Sequence, residues 1–377
     1  MKAMNHLKFL LLLTSVCAAP REGEMPPQQM ACSGQADTQP LYLGVFLATD
    51  FSFRSCSPYK TDSMLQDYLK AFVGGMALYF QDTSPAIKVS YLGSRNLTEE
   101  EERNILGIKE NEADITVKGA DAIKALMEVT ISENFIGDNK LFLVLTGFNI
   151  TEEETKHKAN GNAVIPTSGG SSDEDYDDYM SLSARSGSKK NVFQNVPGLS
   201  QYGSICGMSS AIVQDFGSNF SGIPSAALQV ATVLGPKYKG NISRRSCPEY
   251  EPGPTKFHGD ECYMISQYGD DEKGMDCLHE PIQDAETELM TPKQFYAKYS
   301  SWTPCRTSYL GSQECQKSSK SSSKNSKCTI SCCAEYKYFK LNLKLGDISA
   351  PDGENCDANK ICVGGKCVVN TKSIEGK

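Results

Sequence analysis

Three short apolar runs fix the fold class more firmly than anything else in the chain. They are "LYLGVFLATD" (41–50), "AIKVSYL" (86–92) and "KLFLVLTG" (140–147). The first and third are continuous, as in strands buried on both faces, and the second alternates. Between the first two, residues 61–82 place Leu65, Leu69, Phe72, Met76 and Phe80 at helical spacing on one face, with Asp62 or Ser63 available as a cap. Between the second and third, 119–135 reads as a second helix. Strand, helix, strand, helix, strand predicts an α/β fold with a mostly parallel sheet.

The chain opens with "MKAMNHLKFLLLLTSVCAAP". Lys2 and Lys8 precede an apolar run from Phe9 that ends in small residues at Ala18 and Ala19, the pattern of a secretory signal over 1–19. No later stretch is apolar enough to span a bilayer, so a secreted, extracellular chain without a membrane span is expected. Of the 15 cysteines, Cys17 lies in the signal, and the even remainder predicts a disulfide framework. Of Cys247, Cys262 and Cys277, one needs a more distant partner, for which Cys56 is a candidate. Sequons at Asn96, Asn149, Asn219 and Asn241 fit a glycosylated surface. A net charge of −8 argues against nucleic acid as a partner.

Residues 20–40 read as a short leader rich in Pro, Gln and Gly. Around 158–192 the order weakens. There Tyr176 and Tyr179 stand among Asp173, Glu174, Asp175, Asp177 and Asp178, either a solvated acidic loop or a candidate site of tyrosine sulfation. A Ser/Lys-rich linker is expected over 311–327, then a small disulfide-stapled module over 328–369 and a tail over 370–377.

From Leu41 onward the order of "LYLGVFLATD", "LKAFVGGMALYFQDTSPAIKVSYLG", "NKLFLVLTG", "GLSQYGSICG" and "AIVQDFGSNFSGIPSAALQVATVLG" resembles the reprolysin (adamalysin) metalloproteases of the metzincin group. Its flavour is similar to the secreted metalloproteases of tick saliva. "CYMIS" (262–266) resembles the Met-turn strand, with Met264 beneath the site, and "APDGENCDANKICVGGKCV" (350–368) resembles the cysteine-rich segment that follows such domains. The resemblance implies a metzincin-like catalytic-domain sandwich over 41–310, with an active-site helix over 222–235 that Pro224 opens and Gly235 closes. It also implies a bridge between Cys206 and Cys305.

The family's motif is H-E-x-x-H-x-x-G-x-x-H. Gly235 sets its register here: the three histidine positions fall on Leu228, Thr232 and Tyr238, and the glutamate position on Gln229. Leucine has no donor atom, a neutral threonine hydroxyl is a poor zinc ligand, and one tyrosine does not replace three imidazoles. A glutamine amide cannot act as a general base. Without zinc, water keeps a pKa near ~16 rather than ~7. None of the histidines, His6, His157, His258 and His279, lies on this helix. His258, Asp260 and Glu261, with Asp270, Asp271 and Glu272, read as a calcium loop or as a merely polar one. The family's long pro-segment has no counterpart in 20–40, where Cys32 would have no zinc to hold.

The expectation is therefore a catalytically inactive family member that binds extracellular host proteins and carries no zinc. The alternatives are an active zinc protease with atypical ligands and a glycoprotein without a specific partner.

Overall fold

The apolar run at 41–50 forms β1 (Leu41–Thr49), and the chain then makes α1 (Phe51–Cys56), α2 (Asp62–Leu78), β2 (Ile87–Asn96), α3 (Glu99–Leu106), β3 (Thr116–Lys118), α4 (Gly119–Ser132) and β4 (Lys140–Thr146). Next come β5 (Asn149–Glu153), β6 (Phe193–Val196), β7 (Gly198–Ser200), β8 (Ser210–Gln214) and α5 (Ile223–Leu234). The structure, a computed structural model, describes residues 39–370 except 82, 84–85, 108–115, 136–137, 154–192, 202, 236, 239–257, 260–261, 264–275, 284, 287, 316–327 and 337–340. From Gln39 onward the chain is one compact unit.

The main sheet runs β2-β1-β4-β8-β7. The first four strands are mutually parallel, and β7 closes the edge antiparallel to β8. A smaller sheet, β3-β5-β6, lies beside it in sequence. Because side chains alternate across a strand, each central strand feeds two cores. Leu43, Val45, Leu47, Leu141, Leu143, Leu145, Ala211 and Val213 face one core, shared with α2 and α5. Phe142, Val144 and Ile212 face the other, shared with α3 and α4. Helices on both faces are what a parallel sheet requires, and they explain why these strands read as nearly unbroken apolar runs.

Helix α2 begins one residue earlier than its expected caps: the Thr61 hydroxyl, not Asp62 or Ser63, accepts the Met64 N–H. Its Gly74–Gly75 pair disfavours a helix but is needed for packing. A Cβ on Gly74 would meet the Met290 carbonyl oxygen at 2.0 Å, so only glycine lets that segment lie against the helix. Helix α3 was not expected, yet its start carries a capping box: Thr98 accepts from Glu101 N–H while the Glu101 carboxylate accepts from Thr98 N–H.

Beyond β8 the chain is organised by one carboxylate. Asp215 is fully buried. Its Oδ1 accepts from the Tyr68 hydroxyl at 2.8 Å and from Gly217 N–H at 2.7 Å, and its Oδ2 accepts from Gly222 N–H at 2.7 Å, at the start of α5. Burial raises its pKa against the opposing pull of these three donors. The same Tyr68 hydroxyl accepts from Phe220 N–H at 2.9 Å, and the two rings stack with centroids 4.1 Å apart. One turn of loop is thereby tied to α2 on one side and α5 on the other.

Past α5 lie β9 (Lys237–Tyr238), β10 (His258–Gly259) and β11 (Cys262–Tyr263), which pair in the order β10-β11-β9. Then follow a 3-10 turn (Asp276–His279), α6 (Pro292–Lys298), α7 (Pro304–Ser308) and β12 (Gln313–Glu314). The C-terminal strands are β13 (Thr329–Tyr336), β14 (Leu341–Ser349), β15 (Asn355–Asp357), β16 (Lys360–Val363) and β17 (Lys366–Val369). Gln313 and Glu314, within the span read as linker, pair with Cys333 and Cys332 of β13.

The disulfides correct one expectation. Cys206 pairs with Cys277, not with Cys305, and Cys305 pairs with Cys332. Cys305 sits on α7 against β13, its Sγ 4.0 Å from the Ser331 carbonyl oxygen, so a β13 cysteine is within reach. Neighbouring residues on a strand point to opposite faces, so the vicinal pair divides: Cys332 takes Cys305, and Cys333 takes Cys315. Cys328–Cys362 and Cys356–Cys367 close the module internally. Cys56 is free and exposed, so it does not supply the distant partner. Cys32 and Cys247 lie outside the described residues. These bridges fit an oxidising compartment, and among the described residues no helix is long and apolar enough to cross a membrane.

Tyr68→Phe removes one donor from Asp215 and strands the Phe220 N–H. It is expected to lower stability by ~1–3 kcal/mol, read as a fall in the urea midpoint with the slope unchanged.

Candidate functional site on helix α5

Gly222 precedes α5, Pro224 occupies its first turn, and Gly235 ends it with φ 62°. That left-handed position favours glycine, and its N–H bonds back to the Ala231 and Thr232 carbonyls. The expected helix over 222–235 is therefore present. Ala226, Ala227, Val230, Ala231, Val233 and Leu234 are buried in the main core.

Leu228 and Thr232 are half-buried and stand one turn apart on the same face. This is the arrangement that two metal-binding side chains on a helix would need. What occupies it is a hydrocarbon and a hydroxyl already in use: Thr232 Oγ1 donates to the Leu228 carbonyl at 2.9 Å. Gln229 is buried, and its Oε1 accepts from the Ser200 hydroxyl of β7 at 2.7 Å. The Gln229 amide oxygen is thus engaged with the sheet edge. The helix packs closely there: a Cβ on Gly198 would come within 2.6 Å of Ser225 Oγ.

Tyr238 lies in β9, in register with Cys262 of β11, while His258 of β10 pairs with Tyr263. The chain after α5 is thus brought alongside the strand that leads to Met264. Met264 lies outside the described residues, as do Asp260, Glu261, Asp270, Asp271 and Glu272, and so do the side chains of Tyr238 and His258. The acidic loop with Tyr176 and Tyr179 lies outside them as well.

Among the described residues, three potential metal ligands come together only at Cys328, Cys356 and Cys367. All three sulfurs are in disulfides and have no thiolate to offer. Of the sequons, Asn96 ends β2 and is exposed, with its Oδ1 accepting from the Thr49 hydroxyl. Asn149 opens β5, exposed, and accepts from Gln214 Nε2. Asn219 is half-buried in the loop before α5, where it accepts from Ser221 N–H. Asn241 lies outside the described residues.

Sequence reasoning missed Ser200. It stands 29 residues from Gln229, and nothing local marks it as a partner. Only the antiparallel return of β7 beside β8, with α5 packed on it, brings the two together.

No protein-family model matches the chain, and no curated protein matches it. Among solved structures, one titled "Structure of a chaperone-substrate complex" is similar with a TM-score of 0.28 and 8% identity, covering 54% of this chain and 25% of that one. This chain thus spans about a quarter of that chain's length, and a likeness so faint carries no argument.

Ser200→Ala leaves the buried Gln229 Oε1 without its donor and is expected to cost ~1–3 kcal/mol in chemical unfolding. Thr232→Val removes only a bond within the helix and is expected to stay within about 1 kcal/mol of the parent.

Proposed function

We propose that the protein is a secreted, reprolysin-like chain whose active-site helix has kept its structural role and lost its chemistry. It acts by binding extracellular host proteins rather than by cutting them. The observation that carries this reading is the content of α5. Leu228 and Thr232 stand on one face where two ligands would stand, the Thr232 hydroxyl is spent on its own helix, and Gln229 is held by Ser200. None of the three can deprotonate water or hold zinc at neutral pH.

The mostly parallel sheet followed by a buried helix supports the family reading. So does the pairing of β9 with β11, which sets the segment after Gly235 beside the one resembling a Met-turn. Binding without cleavage has a structural route at β7. Among the described residues this strand is the edge of the main sheet and pairs only with β8. An extended peptide adding to such an edge gains main-chain hydrogen bonds, and its alternate side chains reach the neighbouring surface of α5. The residues at that surface would then contribute contact area rather than catalysis.

The test restores the missing groups. The parent is expected to show no chelator-sensitive cleavage of denatured protein substrates. The fourfold variant Leu228→His, Gln229→Glu, Thr232→His, Tyr238→His is expected to take up zinc and to gain such cleavage. Chelator-sensitive cleavage by the parent contradicts the reading. A folded variant that binds no zinc contradicts the assigned register.

A further inference from the structure

A cavity of about 350 Å³ lies where the loop before α5, α6, α7 and the C-terminal module meet. Its size is at the lower end of small-molecule sites. Phe220, Tyr296, Pro224, Pro292 and Pro304 give it an apolar and aromatic lining. At one end stand Tyr79, Asp352 and Gly364.

That end has unspent polar capacity. Asp352 is buried, and its Oδ1 accepts from Gly364 N–H at 2.8 Å. Its Oδ2 accepts nothing from the described residues. Among the described residues no cation faces this carboxylate. Lys293 gives Asp352 only its backbone N–H, to the carbonyl, and turns its ammonium to Glu354 at 3.6 Å. Burial raises the Asp352 pKa to about 7. Among the described residues the Tyr79 hydroxyl has no partner either, but it is closed off behind the same glycine: a Cβ on Gly364 would meet it at 2.6 Å.

A buried carboxylate with no facing cation among the described residues, at the end of a cavity with aromatic walls, selects its ligand by charge. An anion is repelled. A neutral molecule pairs best with the protonated carboxyl, the minor form above pH 7. An ammonium group supplies the missing charge and an N–H donor. The apolar remainder of such a ligand matches the prolines and rings, whose faces also attract cations. We propose that this cavity binds a small organic ammonium ion with an aryl or alkyl tail, its nitrogen donating to Asp352 Oδ2. The site is separate from Leu228, Gln229 and Thr232, and it does not rest on the function proposed for them.

The experiment is calorimetric titration of the full secreted protein at pH 8 with phenethylamine and with its neutral counterpart 2-phenylethanol. The amine is expected to bind, and the alcohol to bind about tenfold more weakly or worse, since a hydrogen bond to a charged group is at stake. Asp352→Asn is expected to lose about tenfold or more in amine affinity and nothing in alcohol affinity. Tyr79→Phe removes a hydroxyl that the ligand does not reach, and unchanged amine affinity is expected. Equal binding of amine and alcohol overturns the proposal. So does amine binding that Asp352→Asn leaves unchanged, or the absence of heat up to millimolar amine. If Asp352→Asn fails to fold, the amine-to-alcohol ratio of the parent decides by the same criterion.

Discussion

The Asp215 carboxylate is buried between the end of β8 and the start of α5, and three donors converge on it. A charge there is unfavourable unless it is fully hydrogen-bonded. That requirement dictates the path of the loop: Gly217 and Gly222 must present their N–H groups inward, and Tyr68 must reach across from α2. Gly222 is also the residue that caps α5, so the carboxylate sits at the positive end of the helix. The position of α5 against β7 and α2 follows from this node. Gln229 reinforces it through its bond to Ser200 of β7, while the Thr232 hydroxyl bonds within the helix.

Packing and hydrogen bonds account for the rest of α5. Its inner face is small and aliphatic and is packed into the core. Its other positions have found local uses, as a back-bonded hydroxyl at Thr232 and a cross-link from Gln229 to Ser200. Cys206–Cys277 closes a stretch of 71 residues that includes α5, and in the chain-entropy picture a loop of that size stabilises by about 4 kcal/mol. Covalent closure of this kind holds the region without help from a bound ion.

The parts of the fold that sequence made legible are those whose burial is local in origin. β1, β4, α2 and α4 show their periodicity because a sheet covered on both faces demands apolar runs, and an amphipathic helix demands a stripe. α3 was hidden by its first turn of four glutamates, although its Thr98–Glu101 capping box was there to be read. β7 and β8 are short, and neighbours distant in sequence decide their pairing. The cysteine pairing escaped for the same reason: the turn of α7 toward β13, not spacing, selects Cys332 for Cys305. At the site, the chemical character of Leu228, Gln229 and Thr232 was plain from residue type. The Ser200 bond, the Asp215 node and the Asp352 cavity were not, because each joins segments far apart in the chain.

The central claim is that α5 is a scaffold and not a metal centre. Zinc content of the folded protein, measured by elemental analysis after dialysis against a weak chelator, tests it most directly. The account predicts less than about a tenth of an equivalent, since Leu228, Gln229 and Thr232 offer no imidazole, thiolate or carboxylate. About one equivalent, retained through dialysis and lost on substitution of residues around α5, would contradict it.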